Sequence, residues 1–248
     1  MRASIVIPVL NVEPQLRQTM HRLVQLKGDP RLELEIILVV DVPDPAREEE
    51  ARRENDRIAS EIDAKAVYRI GERGFGSALR FGFDHATGEA VIPFMADACD
   101  DPGDIPRLVA RLEQGWDVVA ASRYMRGGRI VGNTIKQRLS RFYGWLVRLV
   151  GGADIRDVSN AFKAYRSTVL EEIPTVAGSF DISVELTVRA HQAGFRITEI
   201  PTTWINRELG RSSWHFSKEL RRYSRWLWLA ARGRRGTRTP LAPRTERR

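Results

Sequence analysis

Apolar positions along the chain follow two alternating rhythms. Short, largely β-branched runs recur at Ser4–Val9, Glu35–Val40, Ala66–Arg69, Ala90–Met95 and Asp117–Ser122, and each reads as a strand. Between them, residues 13–26, 44–62, 76–86 and 104–114 carry apolar side chains at three- and four-residue spacing, the mark of an amphipathic helix. Continuous apolar strands separated by helices predict an α/β protein with a mostly parallel sheet covered on both faces. After Ser122 the alternation loosens: helices are predicted over Thr134–Val150 and Phe180–Gln192, and "FRITEIP" (195–201) reads as a further strand. No internal repeat is evident. From Arg232 onward the chain is Arg, Gly, Thr and Pro with little apolar content, a composition expected to be disordered.

A length of 248 residues suits one α/β domain with appendages better than two full domains. The single cysteine, Cys99, rules out an internal disulfide framework and makes a reducing compartment the default. The opening "MRASIVIPVL" lacks the apolar region and cleavage site of a signal peptide and reads as the first strand. No stretch reaches the roughly 20 apolar residues of a spanning helix. The net charge of +8 is unevenly spread. Residues 207–248 hold twelve Arg and one Lys against three Glu, a local +10, so residues 1–206 carry −2. A near-neutral body with a basic C-terminal segment argues against a nucleic-acid-binding face and for an attached contact to an anionic surface.

In an open parallel sheet, ligands bind outside the carboxyl ends of the strands. Asn11 and Glu13 follow the first predicted strand, Asp41 and Asp44 the second, the cluster "ADACDDP" the fourth, and Ser122-Arg123-Tyr124 the fifth. That clustering predicts a site along one edge. Asp97 and Asp100 are hard oxygen donors of the kind that hold Mg²⁺ or Mn²⁺ together with substrate phosphates. Asp101 and Asp104 read instead as caps of the helix beginning near Pro102, and Cys99 as inert packing. Gly74 and Gly76 open a helix that Gly82 interrupts; such a G-x-G serves either a tight turn with close packing or a phosphate at the helix N-terminus. The histidines His21, His85, His191 and His215 form no evident cluster.

The ordered motifs "IVIPVLN", "VVDVPD", "RGFGSALRFGFDHATGE", "FMADACDDP", "SRYMRGG", "DVSNAFKAYR" and "NRELGRSS" resemble the family 2 glycosyltransferases of GT-A fold. Within them the chain is similar to polyprenyl-phosphate sugar synthases of the dolichol-phosphate mannose synthase type, over about Ser4 to Ser213. The resemblance implies inverting transfer of a sugar from a GDP- or UDP-sugar to a polyprenyl phosphate with Mg²⁺ or Mn²⁺. It assigns donor binding to Pro8, Asn11, Asp41 (at the base), Asp44, Gly74, Gly76 and Asp97, and metal binding to Asp97 and Asp100. Arg123, Arg138, Ser140, Arg207 and Ser212 are assigned to the acceptor phosphate, and Asp97, Asp100 and Arg123 are the catalytic set. Asp157, Ser159 and Asn160 fall where the family reads an acidic residue, Thr-Ser and Gly. Four departures stand out. Asp41-Val42 replaces a tandem acidic pair, and the family's Asp-Ala-Asp triplet aligns with Ala96-Asp97-Ala98, displaced by one position. Asn160-Ala161 replaces Ser-Gly, and Ser213 stands where lysine is common.

In "SSWHFSKELRRYSRWLWLAARGRRGTR", Trp214, Phe216, Tyr223, Trp226 and Trp228 are interleaved with Arg221, Arg222, Arg225 and Arg232. This pattern fits an interfacial helix with aromatics at headgroup level and arginines on anionic lipid, and equally a helix packing its Trp stripe on the domain. The expected organisation is a GT-A domain over 1–213, an amphipathic helix over 214–232 and a basic tail over 233–248. The expected location is cytoplasmic, peripheral at the inner face of the cell membrane, with no nucleic-acid partner. Rival readings are a glycosyltransferase with a soluble or polysaccharide acceptor, a nucleotidyltransferase on a similar fold, and a membrane- or nucleic-acid-binding module.

Overall fold

The computed structural model describes residues 1–132, 135–206 and 216–233, with backbone alone for 216–220. Its first half follows the predicted alternation: β1 (Arg2–Leu10), α1 (Leu16–Val24), β2 (Glu33–Val42), α2 (Glu48–Glu61), β3 (Lys65–Ile70), α3 (Phe75–His85), β4 (Ala90–Pro93), α4 (Ile105–Glu113) and β5 (Val118–Ser122). The second half holds β6 (Arg129–Val131), α5 (Ile135–Gly151), β7 (Lys163–Arg166), α6 (Ser167–Glu172), α7 (Ile182–Gln192), β8 (Ile197–Pro201), β9 (Thr203–Ile205) and α8 (Phe216–Arg232).

Seven strands form one sheet in the order β3-β2-β1-β4-β7-β5-β8. All neighbours run parallel except β7, which lies antiparallel to both β4 and β5. Strand β7 pairs with β5 at Ala120↔Lys163, so the chain leaves the sheet after Ser122 and re-enters beside its exit point. Strands β6 and β9 make a small second, parallel pair.

Alternation along the strands divides the core into two layers. Ile5 and Ile7 of β1 join Ile36, Leu38 and Val40 of β2 on the face covered by α1, α2 and α4, through Leu16, Leu23, Ile58 and Leu108. Val6, Ile37 and Val39 point the other way, onto Ala78 and Leu79 of α3 and the layer containing Leu186 and Trp226. Helix α3 runs uninterrupted through Gly82, contrary to the break expected there. A Cβ on Gly82 would stand 2.3 Å from Val6 Cγ1 and 2.8 Å from Val39 Cγ2, so the glycine permits close helix–sheet approach.

Helix α8 joins this second layer. Trp226 is buried and its indole Nε1–H donates to Asp181 Oδ2 at 2.8 Å, while the Tyr143 hydroxyl of α5 donates to the Tyr223 carbonyl at 2.8 Å. Trp228, on the other side of α8, is 56% exposed, with Arg232 stacked 3.7 Å from its ring centre. One part of the aromatic stripe therefore packs on the domain and another faces outward. Trp214 and the basic tail beyond Gly233 lie outside the described residues. Among the described residues, no helix is long and apolar enough to cross a membrane.

Candidate active site

Strand β1 pairs with β2 on one side and β4 on the other, so the connections diverge at β1, where an open sheet forms its ligand crevice. The β1–β4 ladder ends at Val6↔Pro93, and Phe94 N–H still donates to Val6 O at 2.9 Å. Past that point Pro8, half-buried and opposite Val39, removes a donor as the two strands part.

On the β2 side, Asn11 adopts a left-handed backbone (φ 53°). Its N–H donates to Asp41 O at 2.9 Å, and its carbonyl accepts from Asn55 Nδ2 at 2.7 Å. Asp41 is buried; its Oδ2 accepts the Gly74 amide at 2.9 Å, and its Oδ1 lies 3.5 Å from Arg69, an ion pair without a hydrogen bond. Burial raises the Asp41 carboxyl above the usual range, and the Arg69 charge opposes that rise. Asn11 Oδ1 and Asp41 Oδ1 thus remain buried acceptors with no hydrogen-bond donor. Gly76 donates its amide to Gly178 O at 3.1 Å, and a Cβ there would meet Ala177 O at 2.4 Å. Close packing of α3 on residues 177–179 accounts for this glycine. Asp44 is exposed and caps a 3-10 turn through Ala46 N–H at 3.0 Å.

After β4 the chain turns sharply through Ala98, a non-glycine residue with φ 57°. Such a conformation costs of order 1 kcal/mol and persists only where its surroundings fix it. Here Thr19 donates to Ala96 O at 3.0 Å, Arg22 reaches the carbonyls of Ala98 and Asp100, and Ile205 N–H donates to Cys99 O at 2.9 Å. Asp97 is half-buried and accepts Cys99 N–H at 3.1 Å. Asp100 is 2% exposed and its Oδ1 has no hydrogen-bond partner. Burial first, and the neighbouring Asp97 charge second, push the Asp100 carboxyl up to about 7. Asp101 caps the 3-10 turn at 102–104 through Gly103 N–H, as expected, and Asp104 pairs with Arg107. Cys99 is buried among this turn.

Beside the aspartates, Arg123 grips Asp157 bidentately, Nε to Oδ2 at 2.7 Å and Nη2 to Oδ1 at 2.9 Å, and its own backbone amide donates to the same carboxylate. Burial alone would raise Asp157, yet the Arg123 charge and hydrogen bonds hold it below the usual carboxylate range. Arg123 Nη2 also reaches Ser159 Oγ at 3.4 Å, and Ser159 shares a 2.6 Å hydrogen bond with Ser140 of α5. Two residues that the sequence reading did not single out hold this loop from below. Glu199 of β8 accepts the amides of Arg156 and Asp157 at 2.8 and 2.9 Å. Lys163 of β7, fully buried, donates to Val158 O, Asn160 O and Ser183 Oγ; burial pushes its ammonium down to about 7 against the pull of Asp157.

The fold thus brings Asp97, Asp100, Arg123 and Ser140 to one neighbourhood, and Pro8, Asn11, Asp41 and Gly74 to the adjoining edge. Arg138 is exposed on α5, and Arg207 and Ser212 lie outside the described residues. Among the described residues no three His, Cys, Asp or Glu side chains converge on one point. A hard cation needs fewer: Mg²⁺ commonly takes one or two carboxylates and completes its shell with phosphates and water. The orphaned Asp100 oxygen beside Asp97 fits that role.

The sequence model of Glycosyl transferase family 2 matches residues 4–174. The undecaprenyl-phosphate 4-deoxy-4-formamido-L-arabinose transferase of Edwardsiella ictaluri is 30% identical over 215 residues, covering 87% of this chain and 63% of that protein. The dolichol-phosphate mannosyltransferase of Pyrococcus furiosus is 29% identical over 216 residues, covering 86% and 59%. The chain therefore spans about three-fifths of the length of these curated relatives. Among solved structures, Mycobacterium tuberculosis glucosyl-3-phosphoglycerate synthase with Mn²⁺, UDP and glucosyl-3-phosphoglycerate superposes with TM-score 0.65 at 15% identity, covering 92% of this chain and 77% of that one. That likeness establishes the GT-A fold.

Proposed function

The chain belongs to glycosyl transferase family 2, and from that membership we propose that it transfers a sugar from a GDP- or UDP-sugar to a polyprenyl phosphate with inversion at the anomeric carbon. The observation that carries the reading is the unsatisfied Asp100 carboxylate beside Asp97, set against the clamped Arg123–Asp157–Ser159–Ser140 cluster. The two curated relatives, an undecaprenyl-phosphate sugar transferase and a dolichol-phosphate mannosyltransferase, supply the acceptor class.

The two halves of the crevice divide the work. Asn11 and Asp41 offer buried acceptor oxygens to the N–H edge of a nucleobase, with Pro8 and Gly74 bordering the same side and the exposed Asp44 at its rim. Asp97 and Asp100 would hold Mg²⁺ or Mn²⁺, which when bound neutralises the charge gathering on the departing diphosphate. The acceptor half presents Arg123, fixed in place by Asp157, with the Ser140–Ser159 hydroxyl pair beside it; Arg138, Arg207 and Ser212 are the further phosphate contacts that the family resemblance assigns. A phosphate monoester is largely dianionic at neutral pH, with a second pKa near ~6, so one of its oxygens attacks without a general base. The new bond joins that oxygen to the anomeric carbon as the carbon–diphosphate oxygen bond breaks. The electron pair leaves with the nucleoside diphosphate and no proton need move. Holding two anions in line is what the site must supply, and fixed positive charge with positioning provides it.

The basic stretch from Arg207 onward provides charge for a peripheral contact with the inner face of the cell membrane, where such an acceptor resides. The test is a donor screen with Mg²⁺ or Mn²⁺ and a short polyprenyl phosphate, reading nucleoside diphosphate release. Turnover with one donor is expected; silence with every common UDP and GDP sugar would sink the reading. Pyrophosphate release in its place would indicate nucleotidyl transfer, and turnover with soluble phosphate acceptors alone would redirect the acceptor class.

A further inference from the structure

The turn that carries Asp97 and Asp100 is held from helix α1. Thr19, buried on that helix, donates its hydroxyl to Ala96 O at 3.0 Å. Three residues on, half-buried Arg22 spreads one guanidinium over three acceptors. Its Nη1 donates to Ala98 O at 3.2 Å and to Asp100 O at 3.3 Å, and its Nη2 donates to Asp101 Oδ1 at 3.3 Å. From the other side, Ile205 N–H of β9 donates to Cys99 O at 2.9 Å. The carbonyls of Ala96, Ala98, Cys99 and Asp100 are thus all engaged by groups outside the turn. Between the two aspartates stands Ala98 at φ 57°, a left-handed conformation that glycine adopts freely and an L-residue resists. Released from its ties, such a turn would relax. Asp100 Oδ1 has no hydrogen-bond donor, so the backbone beneath it has a large share in where that oxygen lies.

We propose that Arg22, assisted by Thr19, is a positioning residue for the cation and diphosphate site: it sets the spacing of Asp97 and Asp100 by holding the carbonyls of the strained turn between them. A planar guanidinium fork can satisfy two carbonyls two residues apart and a carboxylate at once, which a point-like ammonium does less well. Its charge strengthens each of those hydrogen bonds. The pair with Asp101 is exposed, and exposed ion pairs contribute little, so the two carbonyl bonds are the working part of the contact. Mg²⁺ and related ions demand near-ideal ligand geometry at short distances, so a small relaxation of the turn lowers affinity even with both carboxylates present. Groups that orient ligands in this way are commonly worth 10- to 100-fold in metal affinity. The inference rests on the reading of Asp97 and Asp100 as cation ligands and adds to it what keeps the two in register.

The experiment is a Mn²⁺ titration of the full chain with UDP and with GDP, read as the enhancement of water-proton relaxation by protein-bound ion. Beside it, hydrogen exchange is followed without metal at the Cys99 amide, which donates to Asp97 Oδ1 at 3.1 Å and so reports on the turn itself. Arg22→Met keeps the aliphatic stem and removes the donors; it is expected to weaken Mn²⁺ binding by about 10-fold or more and to speed Cys99 exchange. Asp101→Asn keeps an oxygen for Gly103 N–H and loses only the exposed pair, so it should bind Mn²⁺ as wild type does. R22M/A98G should recover most of the lost affinity, because glycine holds a left-handed turn without the clamp. A merely structural arginine would lower the melting temperature and leave these readouts unmoved. The proposal is overturned if Arg22→Met binds Mn²⁺ as wild type does, if its Cys99 amide exchanges at the wild-type rate, or if the added glycine restores nothing. A wild type that binds no Mn²⁺ with either nucleotide would overturn the cation reading together with the proposal, whereas failure in the variants alone leaves that reading standing.

Discussion

Asp100 is a carboxylate whose nearest environment works against its charge: it is buried, one oxygen is unbonded, and Asp97 lies alongside. Such a residue weakens the fold it belongs to, so Asp100→Asn should melt at a higher temperature than wild type without divalent ions. The same change should cut metal-stimulated nucleoside diphosphate release by about 10²-fold or more, because a charged ligand is replaced by a neutral one. Equal melting and equal turnover would remove Asp100 from the cation site. Lys163 is the converse case, a buried cation with three acceptors around its ammonium. Lys163→Met leaves the Val158 and Asn160 carbonyls to share the Ser183 hydroxyl as donor and should cost about 1–3 kcal/mol in denaturant unfolding. The sign of its pH dependence follows from its value in the fold, about 7 against an ordinary 10.5. Between those values the folded chain binds fewer protons than the unfolded chain, so the contribution is present at high pH and is lost as pH falls through 7. Wild type should therefore gain more stability than Lys163→Met between pH 7 and about 9.5; parallel slopes in the two proteins would contradict this.

At the scale of elements, α5 is fitted to the 156–160 loop through a position that tolerates no side chain. A Cβ on Gly144 would meet the Arg156 carbonyl at 2.4 Å, and a carbonyl fixed in a clamped loop does not yield cheaply. Gly144→Ala should cost about 1–3 kcal/mol by overpacking, and it should raise the acceptor KM more than the donor KM, as steady-state kinetics with each substrate varied will show. Elements with strong periodicity were legible in the sequence: β1 to β5, α1 to α5, α7 and β8 all lie where apolar spacing predicts them, with ends displaced by a few residues. Strand β7 was not, because "KAYR" places a lysine and an arginine in a four-residue strand, and the burial of Lys163 depends on acceptors supplied from residues 158, 160 and 183. Strands β6 and β9 are three residues long and carry no period to read. Helix α6, six residues long, escapes for the same reason. The site divides in the same manner. Asp97, Asp100 and Arg123 stand at strand ends and announce themselves, whereas Glu199 reads as the polar member of an alternating strand until the fold sets it under the amides of Arg156 and Asp157.

Across the whole molecule, α8 ties the C-terminal segment to the catalytic body. Trp226 fills the layer beneath the sheet and donates to Asp181 Oδ2, so Trp226→Ala both opens a cavity and takes a donor from a buried carboxylate whose Oδ1 already has none. A loss of about 3–5 kcal/mol is expected from the cavity alone, read as a lowered denaturant midpoint; a change under about 1 kcal/mol would mean that α8 contributes little to the fold. The antiparallel strand β7 has a broader consequence. Because the chain exits at Ser122 and returns at Lys163 on the adjacent strand, with Ala121 N–H bonded to Phe162 O at 3.0 Å, the forty residues 123–162 form a closed excursion from a continuous sheet. That excursion carries Arg123, Ser140, Asp157, Ser159 and all of α5, while Asn11, Asp41 and the aspartate turn lie elsewhere in the chain. In the proposed function this excursion is the acceptor half. Its two ends already meet, so its length can change without altering the strand order, provided that its ties to Glu199, β9 and α8 are kept.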